Sequence, residues 1–138
     1  MIRKYKDEDW AMIKDAVEPF SPLMPSDSFL HIADRSVAVT GMEGDEVMAC
    51  GGITFKNNTE GLVWVKVSEK CKTSAYKWAR TIRETFSIML ESVDVDVSTY
   101  VLEGFCKGDK LARMIGLGKT KEIEEYNGQI YIKYTAVT

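Results

Sequence analysis

The stretch that decides the fold runs from residue 60 to residue 91 and reads EGLVWVKVSEKCKTSAYKWARTIRETFSIMLE. Its first eight residues are rich in β-branched and aromatic side chains, which predicts a strand over 60–67. A polar loop follows over 68–73. The apolar residues then recur every three or four positions, which predicts a long helix over 74–91 that buries one side. The apolar stripe consists of Ala75, Trp78, Ala79, Ile82, Phe86, Met89 and Leu90.

A strand and a helix are predicted at the N-terminal end of the chain. Residues 1–6 are extended in character, and Asp7 is a typical N-cap residue. The apolar residues that follow have helical spacing, which predicts a helix over 8–17 with Asp9 in its first turn, where the helix dipole favours an acid. Prolines end this helix because they cannot continue its hydrogen bonding. They are Pro19, Pro22 and Pro25.

A hairpin is predicted between these prolines and the deciding stretch. From residue 36 the apolar period changes to two, which predicts strands over 36–40 and 46–55 joined by a turn over 41–45. The pair therefore forms an antiparallel hairpin. Gly51 and Gly52 lie inside the second strand, which indicates either a bulge or a close backbone approach.

The rest of the chain alternates between strands and one short helix. The predicted elements are a strand at 93–101, a helix at 107–115, and two strands at 119–125 and 129–136. Gly116 is a typical helix stop, and Asn127-Gly128 is a typical two-residue hairpin turn. The predicted order is β-α-β-β-β-α-β-α-β-β.

Composition limits the class of protein. The chain has 138 residues, of which 45% are hydrophobic and 28% charged, and this composition predicts a single globular domain spanning 1–138. A formal net charge of −3 disfavours bulk attraction to nucleic acid or to an anionic membrane, although a local basic patch stays open. No uncharged apolar run approaches the length of a membrane span, and the charged N-terminus predicts no signal peptide. We therefore expect a cytoplasmic protein.

The residues that commonly bind metals are sparse and scattered. His31 is the single histidine, and the three cysteines are widely spaced at Cys50, Cys71 and Cys106. This pattern predicts reduced structural thiols and no zinc site. Asp94 and Asp96 share one face of a predicted strand and could bind a divalent ion. Further ligands are missing nearby in sequence, so a solvated strand end is favoured and no metal site is predicted.

The start of the long helix is unusually basic. Lys70, Lys72, Lys77 and Arg80 lie near it, and Glu69 is the only acid close by in sequence. A helix N-terminus carries partial positive charge and free amides, so cations there are unfavourable unless an anion is bound. A phosphate would accept hydrogen bonds from these amides and offset the repulsion. The pattern predicts an anion site, with a solvated basic face as the alternative.

The order of elements over nearly the whole chain resembles the GNAT superfamily of acyl-CoA-dependent N-acyltransferases. In that family a strand that ends in valine leads into a loop of the form Arg/Gln-x-x-Gly-x-Gly/Ala, which cradles the cofactor pyrophosphate. Here Val67 ends the strand, and the loop reads Lys72-Thr73-Ser74-Ala75-Tyr76-Lys77. Lysine replaces the first basic residue and alanine the first glycine. Lys77 replaces the last small residue, which is the larger departure.

A second motif of the family, Asn-x-x-Ala-x-x-Leu-Tyr-x-x-x-Gly-Phe on the last helix, is eroded. Counted back from Gly116, the chain has Phe105 for the asparagine, Gly108 for the alanine, Leu111 for the leucine and Ala112 for the tyrosine. In the family, that tyrosine is the usual general acid for the leaving thiolate. These departures resemble a branch of the superfamily, the GNAT-like small internal virion proteins of short-tailed phages, which have a similar length.

The resemblance implies an α/β (α+β) fold with a mixed, mostly antiparallel central sheet of about six to seven strands and helices on both faces. It implies acetyl-CoA as the cofactor, with the pantetheine arm between the strands that end at Val67 and Tyr100. The implied general base is Glu60, and Tyr100 could replace the missing acid. A surface glutamate and a packed tyrosine are the alternatives. The implied cofactor-binding residues are Val65, Val67, Lys72, Thr73, Ser74, Ala75, Tyr76 and Lys77.

Three classes of function stay open. The first is an N-acetyltransferase that acts on a small-molecule or protein amine. The second is a catalytically silent GNAT-like phage protein, located in the host cytoplasm or the virion, that serves virion assembly or host-protein binding. A nucleic-acid-binding module is disfavoured by the net charge, and a homodimer is compatible with the first two classes. His31 follows the prolines in a region that lines the acceptor cleft in the family, and a structural histidine is the alternative.

Overall fold

One mixed β-sheet and three α-helices make up the described part of the chain. The structure is a computed structural model, and it describes residues 1–14, 16–17, 36–126 and 128–136. The elements in chain order are β1 (Ile2–Lys4), α1 (Asp9–Met12), β2 (Ala16–Val17), β3 (Ser36–Glu43), β4 (Glu46–Phe55), β5 (Glu60–Ser68), a 3-10 helix (Glu69–Ser74), α2 (Ala75–Ser92), β6 (Asp96–Leu102), α3 (Cys106–Met114), β7 (Leu117–Tyr126) and β8 (Gln129–Ala136).

The order of the strands confirms the predicted fold class. Seven strands follow the order β1-β3-β4-β5-β6-β8-β7, and the two-residue β2 pairs with β5 outside this path. Among the described strands, β5 and β6 alone run parallel, and every other pair is antiparallel. The sheet is therefore mixed and mostly antiparallel, as expected.

The main core lies between the sheet and the two longer helices. Phe86 and Met89 of α2 and Ala112 of α3 pack against Val63 and Val65 of β5, and all five side chains are buried. Each large side chain buried here stabilises the fold by about 1.5–3 kcal/mol. The predicted helix over 74–91 is confirmed with a displacement of one residue at each end.

The opposite face of the sheet is covered in part by α1. Trp64 of β5 is fully buried there, with Tyr5 and Trp10 packed edge-on at ring-centroid distances of 5.0 and 5.7 Å. Ile13 packs into the same cluster. Helices therefore cover both faces of the sheet, which confirms the second part of the predicted fold class.

The first helix is shorter than predicted. It ends at Met12 instead of residue 17, because Ile13 takes an extended conformation that buries its side chain to 2% exposure. The chain then forms β2, which pairs with β5. Burial of Ile13 and strand pairing outweigh the helical spacing. The predicted cap at Asp7 is also wrong, since Glu8 is the N-cap residue. The prolines and His31 lie outside the described residues.

The two glycines of β4 mark a close backbone approach. The ladders from β4 to β3 and to β5 stay in register past Gly51 and Gly52, so neither forms a bulge. A Cβ added at Gly52 would lie 2.3 Å from the carbonyl oxygen of Val37. The register shift of the hairpin occurs instead in β3, between Gly41 and Met42.

The predicted polar loop over 68–73 is a 3-10 helix. The backbone amide of Lys70 donates to the Ser68 hydroxyl at 3.1 Å, which caps the start of this helix. Cys71 is buried against Met48 and Trp78, which anchors the turn to the sheet. The loop prediction was wrong because it was based on polar composition, which reveals neither the Ser68 cap nor the burial of Cys71.

The C-terminal third largely matches the sequence prediction. α3 begins and ends one residue earlier than expected, and Gly116 follows it with a φ of +101°, which confirms the helix stop. The pair Tyr126–Gln129 leaves two residues in the connection between β7 and β8, as the hairpin signal predicts. β6 begins at Asp96, so Asp94 precedes the strand instead of sharing its face. None of the helices in the described ranges combines the length and the apolar character that a membrane span requires.

Candidate functional site

The two parallel strands part in the middle of the sheet. β5 and β6 pair over three residues, Glu60–Leu62 with 96–98. At the next position the hydroxyl of Thr99, a fully buried residue, donates to the carbonyl oxygen of Val63 at 2.9 Å. Beyond this point β6 pairs with β8 alone among the described strands. The C-terminal half of β5 therefore turns an edge toward a gap in the sheet.

A groove lies between α2 and α3, beside the C-terminal end of β5. Its volume is about 430 Å³. Its apolar walls come from Val67, Cys71, Trp78, Ile82, Leu111 and Met114. The indole N–H of Trp78 is buried and has no acceptor within the described residues.

Three lysines stand at the rim of this groove. Lys72 comes from the 3-10 helix, and Lys107 and Lys110 come from α3. The two lysines of α3 make no ion pair with any residue in the described ranges. The rim is therefore positively charged although the whole chain carries a formal net charge of −3. An anionic group is the ligand that such a rim favours.

The lysines of α3 were missed by the sequence analysis, although a signal for them exists. Lys107 and Lys110 lie three residues apart, and Leu111 and Met114 continue the same helical face. The face that lines the groove thus starts with two cations and continues as an apolar stripe. A search for cations on apolar helix faces would have found them, but the topology is needed to bring them near Lys72.

Most of the basic residues at the start of α2 are paired with acids. Lys70 pairs with Glu46 at 2.9 Å, and Lys72 pairs with Glu69. Arg80 pairs with Glu84 at 3.0 Å. The acid on β4 is 24 residues distant, so the sequence alone did not reveal it. These exposed pairs contribute only about 0–1 kcal/mol each, so Lys72 can exchange Glu69 for an anionic ligand at little cost.

The predicted cofactor-binding residues divide into two groups. Val67, Lys72 and Ala75 line the groove. The others do not line it: the side chain of Val65 is buried in the main core, and the hydroxyl of Thr73 donates to the carbonyl oxygen of Lys70 at 3.0 Å. The remaining three residues lie at the junction of the 3-10 helix and α2, where Ser74 is the N-cap residue and Tyr76 and Lys77 are exposed.

Glu60 stands at the far end of β5 from the groove. Its side chain is 54% exposed and lies 3.8 Å from the ammonium group of Lys56. Glu60 precedes Val67 by seven positions, which corresponds to about 23 Å along an extended strand. The structure does not bring Glu60 and the groove together.

Tyr100 lies beyond the point where the strands part. Val101 packs into the main core, and strand alternation turns Tyr100 to the opposite face. There it borders a polar cavity of about 250 Å³ with Lys133 and Glu122. Burial raises the pKa of the Tyr100 hydroxyl, Lys133 opposes this shift, and nearby acids, including Glu60, add to it. Tyr100 and Glu60 therefore share a face and an electrostatic environment.

The position of the family's tyrosine is filled by a small core residue. Ala112 is fully buried between α3 and the sheet. Tyr134 of β8 approaches α3, and its hydroxyl donates to Asp109 at 2.5 Å. Burial and this hydrogen bond raise the pKa of Tyr134 to about 12. Its proton is thus held between β8 and α3.

A further cation lies on the α1 side of β5. The ammonium group of Lys66 donates to the carbonyl oxygen of Trp10 at 2.8 Å and lies 4.6 Å from the centre of the indole ring. Burial lowers the pKa of Lys66. Nearby, burial raises the pKa of the Cys50 thiol to about 12, so this cysteine is an unreactive packing residue. The contact between Lys66 and Trp10 spans 56 residues and has no sequence signal.

The remaining candidates do not form a metal site in the described part of the chain. Asp94 and Asp96 border a polar cavity of about 280 Å³ with Thr59. No three potential ligands among histidine, cysteine and acidic side chains converge within the described ranges. The three cysteines are free thiols, and two of them, Cys50 and Cys71, are buried, which agrees with the expected structural role.

Comparison with known proteins identifies the fold. No family model and no curated protein sequence match the chain. An N-acetyltransferase from Staphylococcus aureus matches with a TM-score of 0.71 and 11% identity, over 99% of this chain and 96% of that one. The ribosomal-protein-S18-alanine N-acetyltransferase from Escherichia coli matches with a TM-score of 0.71 and 9% identity, over 99% and 92%.

A third similar structure contains the cofactor. It is a GNAT family acetyltransferase from Elizabethkingia anophelis with acetyl-CoA bound, and it matches with a TM-score of 0.59 and 10% identity, over 89% of this chain and 98% of that one. At such identities the likeness concerns the fold alone. The chain has the fold of the GNAT acetyltransferases.

Proposed function

We propose that the chain is an N-acetyltransferase that binds acetyl-CoA in the groove between α2 and α3 and transfers the acetyl group to an amine. The observation that carries this proposal is the parting of β5 from β6 beside an apolar groove with a rim of three lysines. Phosphate groups match lysine cations, and apolar walls match a long flexible arm. The GNAT fold supports the same proposal.

The lysines at the rim of the groove fit a phosphate-bearing cofactor. Lys72, Lys107 and Lys110 would hold the phosphates, and the exposed pair of Lys72 with Glu69 would open at little cost. The backbone of Val65 and Val67 would orient the arm by strand-like hydrogen bonds, as the resemblance implies. Thr73, Ser74, Ala75, Tyr76 and Lys77 stay in the proposal as backbone donors or flanking residues at the junction with α2.

The proposed chemistry is a transfer from sulfur to nitrogen. Bound acetyl-CoA would supply an acetyl group activated as a thioester. Tyr100 would hold a proton for the leaving group, because a tyrosine hydroxyl is protonated near neutral pH and burial raises its pKa further. Glu60 would accept the proton of the amine through water, since strand geometry separates it from Tyr100 by about 13 Å. The acceptor is a small-molecule or protein amine.

A second function is favoured by one specific observation. Ala112 is fully buried where the family has its acid, so the described residues do not supply the usual proton donor from α3. This supports a catalytically silent protein with a GNAT fold, of the phage type, that serves virion assembly or host-protein binding. Such a protein would retain the sheet and helices as a scaffold.

An acetyl-transfer assay separates the two functions. The chain is incubated with acetyl-CoA and a panel of primary amines and peptide N-termini, and acetylated products are measured by mass spectrometry. The enzyme proposal predicts product formation that depends on the chain and falls about tenfold or more in Tyr100→Phe. Binding of CoA without any product over the whole panel would favour the silent protein.

A further inference from the structure

The two-residue strand β2 lies inside the gap between β5 and β6. Val67 of β5 pairs with Ala49 of β4 and also with Val17 of β2. A strand has only two edges, and β4 occupies one of them. β2 therefore lies on the other edge, which is the edge that pairs with β6 at the beginning of β5.

This inner edge of β5 is occupied at both ends. β6 takes the first three residues, and β2 takes Val67 and Ser68. The stretch between these pairings comprises residues 63–66, or about 13 Å of extended strand. Val67 and Ser68 line the groove, so the edge that β2 covers lies beside the proposed cofactor site.

We propose that β2 and the amide-bearing arm of acyl-CoA compete for the inner edge of β5 at Val67 and Ser68. This inference rests on the proposed function, since it concerns regulation of the same site. β2 is then a gate formed by the chain itself: it satisfies the strand edge while the ligand is absent and must leave when the arm binds. A ligand that requires the open state binds with an apparent affinity reduced by the fraction of open molecules.

The anchoring of the segment before β2 suits such a gate. Asp9 is buried and bonded to Arg3, and Ile13 is buried beside Trp64, so α1 is held against the sheet up to residue 13. Lys14 is exposed, and β2 is only two residues long. So short a strand opens more easily than the core strands, and release can begin after Ile13 while α1 stays in place.

A proline substitution in β2 tests the gate directly. Val17→Pro removes a backbone donor and prevents pairing, whereas the matched control Val17→Ala retains the backbone. Circular dichroism establishes that both variants are folded, and calorimetric titration with CoA measures affinity. We expect Val17→Pro to bind CoA about fivefold or more tightly than the wild type, and Val17→Ala to differ by less than about twofold.

A reversible crosslink tests the same gate in the opposite direction. Val17→Cys with Val67→Cys places two cysteines at directly paired positions, in a Cys106→Ser background that removes the exposed thiol. The oxidised and reduced forms of this one protein are compared, so any effect of changing Val67 cancels. We expect oxidation to weaken CoA binding about tenfold or more and reduction to restore it.

The outcomes separate the gate from the cofactor site. If Val17→Pro binds CoA and the wild type binds it more weakly or not at all, both the cofactor site and the gate are supported. Equal affinity of the wild type and Val17→Pro, with equal affinity of the oxidised and reduced crosslinked protein, overturns the gate and leaves the cofactor site. Absence of CoA binding by the wild type and by Val17→Pro at millimolar ligand overturns the cofactor site and the gate with it.

Discussion

At the scale of single residues, Asp9 shows how much a local pattern can conceal. The sequence assigns it to the first helical turn, where the dipole favours an acid. In the structure it is buried and accepts hydrogen bonds from Arg3 at 2.7 and 2.8 Å, from the hydroxyl of Thr40 at 2.7 Å and from the amide of Lys6 at 2.9 Å. One carboxylate thus connects β1, β3 and α1.

Asp9→Asn tests this assignment through the pH dependence of stability. Burial alone would raise the pKa of Asp9, but the bonds from Arg3, Thr40 and Lys6 outweigh it and hold the pKa below its usual value. A lowered folded-state pKa gives stability that is present above the unfolded-state pKa of 3.8 and is lost as pH falls through the folded-state value. Asp9→Asn should lower the free energy of unfolding by about 2 kcal/mol near neutral pH.

Urea unfolding over a range of pH provides the measurement. The wild type should lose stability on acidification below about pH 4, and Asp9→Asn should lose less over the same range. If the two proteins showed parallel pH profiles, the carboxylate would not carry the connection described for it.

Lys72→Ala tests the groove at the same scale. Lys72 lines the groove, whereas Arg83 is exposed on α2 and does not line it. Loss of one charge-assisted bond to a phosphate should weaken CoA binding about tenfold for Lys72→Ala. Arg83→Ala removes one cation from the same helix, serves as the control and should change affinity by less than about twofold. Equal effects of the two substitutions would argue for a diffuse basic face instead of a defined rim.

At the scale of elements, the apolar pattern predicts best those helices and strands that bury one face against the core. The bounds of β4 and β8 agree with the sequence, and those of α2 and α3 differ by one residue, because their apolar patterns match the period of the element. The shortness of α1, the strand β2 and the 3-10 helix were not predicted. Each depends on a contact distant in sequence, such as Ile13 with Trp64 or Val17 with Val67.

Gly52→Ala tests the close approach of β3 and β4. A Cβ at Gly52 would lie 2.3 Å from the carbonyl oxygen of Val37, and one at Gly51 would lie 2.8 Å from that of Trp64. Backbone atoms cannot yield as a flexible side chain can, so Gly52→Ala should lower the free energy of unfolding by about 3 kcal/mol.

Gly51→Ala provides the internal comparison in the same strand. It should lower the free energy of unfolding, measured with denaturant, by less than Gly52→Ala does, because the oxygen that the added Cβ meets is farther away. A larger loss of stability in Gly51→Ala than in Gly52→Ala would show that the strands differ in register from the ladder described.

At the scale of the whole molecule, the candidate site arises from topology more than from sequence. The strand that carries Val67 was predicted to end one residue early, and the lysine at residue 72 was predicted as a site residue. The groove also needs Lys107 and Lys110 on α3, 35 and 38 positions later than Lys72. Glu60 and Tyr100 were implied by the resemblance to the GNAT superfamily, and only the sheet shows how far Glu60 stands from Val67. No local sequence pattern predicts that β2 pairs with the inner edge of β5.

The proposed enzyme depends on one property of the groove, which is that it binds the phosphates and arm of acyl-CoA. Calorimetric titration of acetyl-CoA into the wild type and Val17→Pro tests it most directly. We expect saturable binding, in the micromolar range for at least Val17→Pro. At millimolar ligand such binding would stabilise the fold by about 4 kcal/mol. Absence of heat from both proteins at millimolar acetyl-CoA would show that the groove is not an acyl-CoA site.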